Sequence, residues 1–349
     1  MSTSFEVTPG LPDWWAAVAG DGPRCLRPAW LSYEPDRLPG PLHTFALIRD
    51  GRPVVASVGA RLTEASPRRF ADPLLVLRDG VPGESGPPAP WQGLTPDDVL
   101  PAAVLLAPEY ETALTGPGAA DPSEVEHFVA GLCAWARAES LRSLSALYLG
   151  PGAALLADRL AAAGFGSVPL GSANVIEVTW TDPEGYVAGL PYKHRNIARY
   201  EMRRFTESGA RLRIRPLQDT EPHLVELLML HARRHGTPQS EAGAAALLER
   251  VRETFGPDGP VLFVAESEDG PLAFALFVRC GGELVLVLTG TRYGHPHASV
   301  AHFQTMFYAP AAAAPGLGVT ALVHGLGDDA TKRRRGARQV PLSAAFHRF

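Results

Sequence analysis

Phe263-Val-Ala-Glu-Ser-Glu-Asp269-Gly270-Pro-Leu-Ala-Phe-Ala-Leu-Phe-Val278 sets an apolar run on each side of an Asp-Gly pair. Glycine accepts the positive φ that a tight turn needs, so this pattern predicts a β-hairpin. Phe45-Ala-Leu-Ile-Arg-Asp50-Gly51-Arg-Pro-Val-Val-Ala-Ser-Val-Gly-Ala60 repeats the same grammar. Outward from the first copy, residues 102–107 and 145–149 read as strands, 123–138 and 153–163 as helices, and 175–180 as a further strand. Asp121-Pro122-Ser123-Glu124 opens the first of those helices with a capping side chain, an early proline and an acidic group that suits the helix dipole. Outward from the second copy come a strand at 283–288, a helix at 299–314 and a strand at 319–323. Two copies of one mixed unit is the simplest account. The fold class is α/β (of the α+β kind), each unit a mixed β-sheet flanked by helices, with domains at 1–174 and 175–349.

The 349 residues exceed the usual size of one core, which also favours two domains. An apolar fraction of 46% is ordinary for a globular chain. Cys25, Cys133 and Cys280 form no CxxC pair, which argues against a disulfide framework and against a zinc site. The opening Ser2-Thr-Ser-Phe5-Glu lacks the basic and apolar regions of a signal peptide, and no apolar run is long enough to span a bilayer. A cytoplasmic location without membrane attachment is expected. Residues 79–101 hold many glycines and prolines and read as a surface loop.

Net charge is −5, yet Lys193 to Arg215 carries eight Lys or Arg against two Glu. Positive charge concentrated in a chain that is acidic overall points to a polyanion or a phosphorylated ligand. Residues 193–208, 221–235 and 242–255 have helical periodicity. On the first of these, the basic helix, Arg195, Arg199 and Arg203 share one face, while Ile197, Tyr200 and Phe205 fall on the other side. Glu201 lies on the apolar side, where an unpaired carboxylate is costly, so it needs a partner such as Arg204 or a backbone group. The stripe fits an arginine ladder facing phosphates, or a solvated amphipathic face; no glutamate at i±4 is expected to neutralise it. Glu201 is also a candidate catalytic base.

A second basic segment, Lys332-Arg333-Arg334-Arg335-Gly336-Ala337-Arg338, follows Gly325-Leu326-Gly327-Asp328. Glycines there allow close backbone approach, and the arginine fork suits phosphate or carboxylate. Val340-Pro-Leu-Ser-Ala-Ala-Phe346 is apolar enough to return to the core, so this is a pinned loop rather than a solubilising tail. His295, His297 and His302 lack the spacing of a metal site, and none is predicted. His302 and Tyr308 sit on the helix after a strand, facing either a cleft or the core. No nucleophile elbow, HExxH or P-loop motif is present.

Leu190-Pro-Tyr-Lys-His-Arg195-Asn-Ile-Ala-Arg199-Tyr-Glu201-Met-Arg203-Arg-Phe-Thr-Glu-Ser-Gly209 resembles the Arg- and Glu-rich helix that opens the second domain of Fem-type GNAT-like proteins. Phe307-Tyr308-Ala-Pro310, Gly325-x-Gly327 and Lys332-x-x-Arg335-Gly336-Ala-Arg338 resemble the closing motifs of that group. The resemblance covers residues 175–349, and the first half only through its hairpin. It implies two GNAT-like domains and transfer of an acyl or aminoacyl group to an amine, as in peptidoglycan-bridge aminoacyltransferases and their relatives in specialised metabolism.

GNAT acetyltransferases hold coenzyme A pyrophosphate with R/Q-x-x-G-x-G/A at a helix start. Residues 289–301 lack that pattern, so the resemblance favours aminoacyl-tRNA as donor, with no cofactor; acetyl-CoA or another acyl-CoA is the alternative co-substrate. The acceptor is then a small-molecule or peptide amine, which attacks an already activated ester. In this reading Lys332 and Arg335 contact phosphate or oxyanion, Arg195, Arg199, Arg203 and Arg338 follow the donor backbone with His302 in the cleft, and Tyr308 shuttles a proton or lines the pocket. A protein that only binds RNA or a metabolite is the non-enzymatic alternative.

Overall fold

The computed structural model describes residues 2–81, 91 and 93–349. The predicted surface loop falls partly on residues 82–90 and 92, which lie outside the described residues. The chain divides into two compact units, Met1–Ala173 with Val340–Phe349, and Asn174–Gln339.

Unit 1 contains strands β1 (Thr3–Pro9), β2 (Leu42–Arg49), β3 (Arg52–Leu62), β4 (Ala102–Leu105) and β5 (Ser143–Leu149), and most of β6 (Gly166–Glu177). Its helices are α1 (Trp15–Ala19), α2 (Pro28–Tyr33), α3 (Pro73–Asp79), α4 (Pro96–Val99), α5 (Pro122–Ala138) and α6 (Ala154–Ala162). β1 to β4 pair antiparallel in sequence, and β4 pairs parallel to β5. A parallel pair needs a crossover, and α5 supplies it. Asp121 caps α5 by accepting from the backbone N–H groups of Ser123 and Glu124. Val125, Phe128, Val129, Leu132 and Ala136 recur at helical spacing and pack with Phe45, Leu105 and Leu144 in the unit's core. At the β2–β3 turn Asp50 and Gly51 both have positive φ, 49° and 74°, which a two-residue hairpin of the favoured hand requires.

Unit 2 holds the end of β6, then β7 (Arg211–Pro216), β8 (Pro260–Ser267), β9 (Gly270–Cys280), β10 (Glu283–Thr291) and β11 (Ala321–Gly325). Its helices are α7 (Pro183–Gly189), α8 (Tyr192–Glu207), α9 (Pro222–Arg234), α10 (Glu241–Phe255), α11 (Ala298–Phe303), α12 (Ala309–Leu317) and α13 (Asp329–Arg334), with a π-helical turn at Gln304–Tyr308. Strands β7 to β10 are antiparallel neighbours, β10 is parallel to β11, and β11 is antiparallel to β6. The order β1-β2-β3-β4-α5-β5 therefore recurs as β7-β8-β9-β10-α11/α12-β11. Phe263 and Phe277 are fully buried in the core with Phe307, Tyr308 and Leu322; each such side chain contributes about 1.5–3 kcal/mol through burial.

Two expectations need adjusting. The last strand, β12 (Arg338–Arg348), pairs antiparallel with β5 from Ser343↔Leu149 to Arg348↔Ser143, so residues 340–349 belong to unit 1 and the second unit ends at Gln339. The basic run from 193 to 215 is also not one surface. Arg211, Arg213 and Arg215 alternate with Leu212 and Ile214 along β7, where Arg213 pairs with Glu266 at 2.7 Å and Arg215 with Glu221. Those charges sit on the strand at the end of unit 2's strand order, where charged side chains discourage further pairing.

Candidate functional site

Helix α8 starts after Pro191 and carries Ala198 and Phe205 into the core of unit 2. Glu201, one turn before Phe205, follows them inward, and its carboxylate meets Arg335. The arginine Nη2 lies 2.6 Å from Glu201 Oε1 and Nε 3.2 Å from Oε2. Side-chain exposure is 4% for Arg335 and 13% for Glu201, so the pair is desolvated. Three further contacts complete it. Arg335 Nη1 donates to the Thr331 carbonyl at 2.9 Å, the guanidinium lies 3.4 Å above the Phe303 ring, and Tyr308 donates its phenolic hydrogen to Glu201 Oε2. Burial first, then the Glu201 carboxylate, push the Tyr308 phenol well above its ordinary range, so it stays a donor. Tyr308 ends the π-helical turn, a feature frequent at functional sites.

The partner of Glu201 is thus Arg335, from the distant C-terminal basic segment, and not Arg204, which pairs with Glu207 at 3.5 Å. Arg335 is consequently enclosed and cannot reach out to a phosphate. Lys332 departs further from expectation. It is 6% exposed and donates to the carbonyl oxygens of His324 at 2.8 Å, Leu326 at 2.6 Å and Gly325 at 3.3 Å. Its ammonium fastens the β11–α13 turn, because an ammonium taken from water must find acceptors. His324 below it stacks on Phe307, centroids 4.7 Å apart, and is held at about 3 by burial and then by the nearby Lys332 charge.

The arginine stripe is also modified. Arg195 folds back to donate to the Leu190 carbonyl at 2.6 Å. Arg199 is exposed. Arg203 pairs with Glu207 one turn on at 3.6 Å and lies 5.8 Å over the Tyr200 ring, so a glutamate at i+4 does interleave the stripe. Tyr200 is 54% exposed and does not join the apolar face. Residues from both basic segments nevertheless meet. Lys193 and His194 from the first turn of α8 line a cavity of about 580 Å³ together with Arg333, Arg334 and Arg338. Arg338 is steadied by Glu177, 3.0 Å from its Nε. His194 is lowered by desolvation and by the charges of Lys193, Arg334 and Arg333. Gly336, at φ +92°, permits this approach: a Cβ there would stand 2.9 Å from Leu190 Cδ2. A cavity lined by the first turn of a helix and by fork-shaped cations has the chemistry to receive an anion.

His302 lies away from that cavity, its Nδ1 2.9 Å from Thr291 Oγ1. Burial first, then the His231 and Arg335 charges, hold it at about 3. The sequence reading passed over Lys193, His194, Arg333 and Arg334 as site residues. Their only linear signal was membership of the two basic segments.

Residues 192–333 match the family model of the acetyltransferase (GNAT) domain. FemX is similar over 97% of this chain and 96% of its own, at 10% identity and a TM-score of 0.59. A tandem GNAT protein from the clavulanic acid biosynthesis pathway is similar over 99% and 98% of the two chains, at 14% identity and a TM-score of 0.51. No curated protein sequence matches the chain. Residues 192–333 thus form a domain of the GNAT acyltransferase class. The whole chain shares the fold of FemX and of that tandem GNAT protein.

Proposed function

We propose that this protein is an N-acyltransferase that moves an aminoacyl group from aminoacyl-tRNA to the amine of a small-molecule or peptide acceptor, in the cytoplasm. The observation that carries this reading is the 580 Å³ cavity where Lys193 and His194 meet Arg333, Arg334 and Arg338. Five nitrogen-bearing side chains around one hollow suit several phosphates, as a nucleic-acid 3′ end presents, better than a single carboxylate. Exposed Arg199 and Arg203 extend the positive face along α8. Glu201, Tyr308 and Arg335 hold α8 against α13 and so shape the cavity, and Lys332 acts through the turn it fastens. The donor ester is already activated, so positioning supplies most of the catalysis.

An acyl-CoA is the second reading, favoured by the similar tandem GNAT protein, whose structure has been solved in a form without AcCoA. Both donors present phosphates to a basic seat. The deciding experiment incubates the protein with total charged tRNA and the small-molecule fraction of a host extract, and follows new amides by mass spectrometry. Amide formation that depends on charged tRNA is expected. Amide formation only when acetyl-CoA is supplied would replace this reading with the second, and none with either donor would reject both.

A further inference from the structure

The face of α8 that looks away from the core carries two tyrosines among its cations. Projected down the helix axis, Tyr192, Asn196, Arg199, Tyr200 and Arg203 fall within an arc of ~100°, opposite Ala198 and Phe205, which enter the core. Tyr192 is 78% exposed and Tyr200 54%, the two most exposed large apolar or aromatic side chains among the described residues. Among those residues the only ring contact of either tyrosine is with Arg203, whose guanidinium lies 5.8 Å from the Tyr200 centroid. Arg199 is exposed and has no carboxylate partner among them. The two tyrosines stand about 12 Å apart along the axis, beyond the ~7 Å over which rings stack on one another. They therefore offer two separate π-faces.

Charge grades along this strip. At its N-terminal end Lys193 and His194 line the basic cavity with Arg333, Arg334 and Arg338, and the positive end of the helix dipole adds to them. At its C-terminal end Glu207 takes Arg203 and Arg204. A polyanion is thus drawn to the first three turns of α8. An apolar partner needs contiguous area, which Asn196 and Arg199 interrupt. A duplex offers phosphates, but its bases are already stacked on each other. Separated rings set between cations fit unpaired bases strung on a phosphate backbone, because every base has a π-face and the cations take the phosphates.

We propose that this face of α8 is a stacking strip for the unpaired 3′ end of an RNA strand. Tyr192 and Tyr200 each hold one base, Lys193 and Arg199 hold phosphates beside them, and Arg203 steadies the Tyr200 ring. This rests on the reading of aminoacyl-tRNA as donor, whose charged end is single-stranded. Cavity and strip then have separate parts. The cavity supplies charge, which salt weakens, and the tyrosines supply stacking, which carries no counterions.

The test uses the full chain, a short single-stranded RNA with the sequence of a tRNA 3′ end, and the same RNA annealed to its complement. Binding is followed by fluorescence anisotropy across a salt series. Tyr192→Ala and Tyr200→Ala should each weaken the single strand about 10-fold and leave the slope of log affinity against log salt unchanged. Tyr192→Phe and Tyr200→Phe should bind like the wild type, since the ring is what stacks. Arg199→Gln should instead make the slope shallower by about 0.7, and no tyrosine change should alter duplex binding. Unchanged single-strand affinity in both alanine variants, or an equal loss for the duplex, overturns the strip and leaves the donor reading in place. A wild type that binds neither this RNA nor total charged tRNA rejects the donor reading, and the strip with it.

Discussion

Arg335 holds Glu201 through Nε and Nη2, 134 residues apart in sequence, and so ties the first basic segment to the second. The pair is nearly closed to solvent. Removing one partner strands a charge, whereas replacing both can be neutral. Glu201→Gln should therefore destabilise the fold by about 3–5 kcal/mol in urea unfolding, while the double change Glu201→Leu, Arg335→Met costs less than the sum of the singles. Tyr308→Phe removes one hydrogen bond and should cost about 1 kcal/mol. Additive behaviour in the double-mutant cycle would deny the coupling.

Lys332 feeds three carbonyl oxygens of the β11–α13 turn. Lys332→Met keeps much of the volume and loses the donors, so its melting temperature should fall and its apparent tRNA affinity with it. Loss of transfer in a Lys332→Met protein of unchanged melting temperature would return Lys332 to a catalytic role.

Acid should destabilise the fold through two buried imidazoles. His302 and His324 are held at about 3 against an ordinary 6.5. Below pH 6.5 the unfolded chain takes up protons that these two refuse in the folded state. Stability therefore falls as pH drops from 6.5 towards 3, by about 1.4 kcal/mol per unit for each group, and these two add no slope above 6.5. Among the described residues both ring nitrogens of His324 lack a hydrogen-bond partner, so His324→Phe should raise stability and remove its share of the slope. Urea midpoints at pH 5 and 7 would show it.

Gly336 has φ +92°, which strains any residue with a Cβ, and that Cβ would press on the Leu190 side chain at 2.9 Å. Gly336→Ala should cost about 1 kcal/mol or more and deform the basic cavity, seen as a lower melting temperature together with weaker tRNA binding. Full binding would separate the cavity's shape from that turn.

How much of this could be read from the residues varies with the range of the interaction. Asp50-Gly51 and Asp269-Gly270 disclosed their hairpins because the turn chemistry is local. Helix α5 was legible from Asp121-Pro122, and α8, α9 and α10 from their periodicity, each within two residues. β12 was seen only as a return to the core, since nothing in Val340–Phe346 says that β5 receives it. The need of Glu201 for a partner was visible, but Arg335 was not, because tertiary pairing leaves no mark at fixed spacing. Likewise Lys332 reads as a free cation in a run of cations, and only the path of the β11–α13 turn turns it inward.

The central claim is that the cavity lined by Lys193, His194, Arg333, Arg334 and Arg338 seats the phosphates of the donor. Its most direct test is the affinity of total charged tRNA as a function of salt, for the wild type and for the triple change Arg333→Ala, Arg334→Ala, Arg338→Ala. Each phosphate contact contributes a slope of ~0.7 on a log–log plot for single strands. The wild type should lose affinity steeply with salt, and the triple variant should bind more weakly with a slope shallower by about 2. An unchanged slope and affinity in a variant that melts like the wild type would contradict the claim.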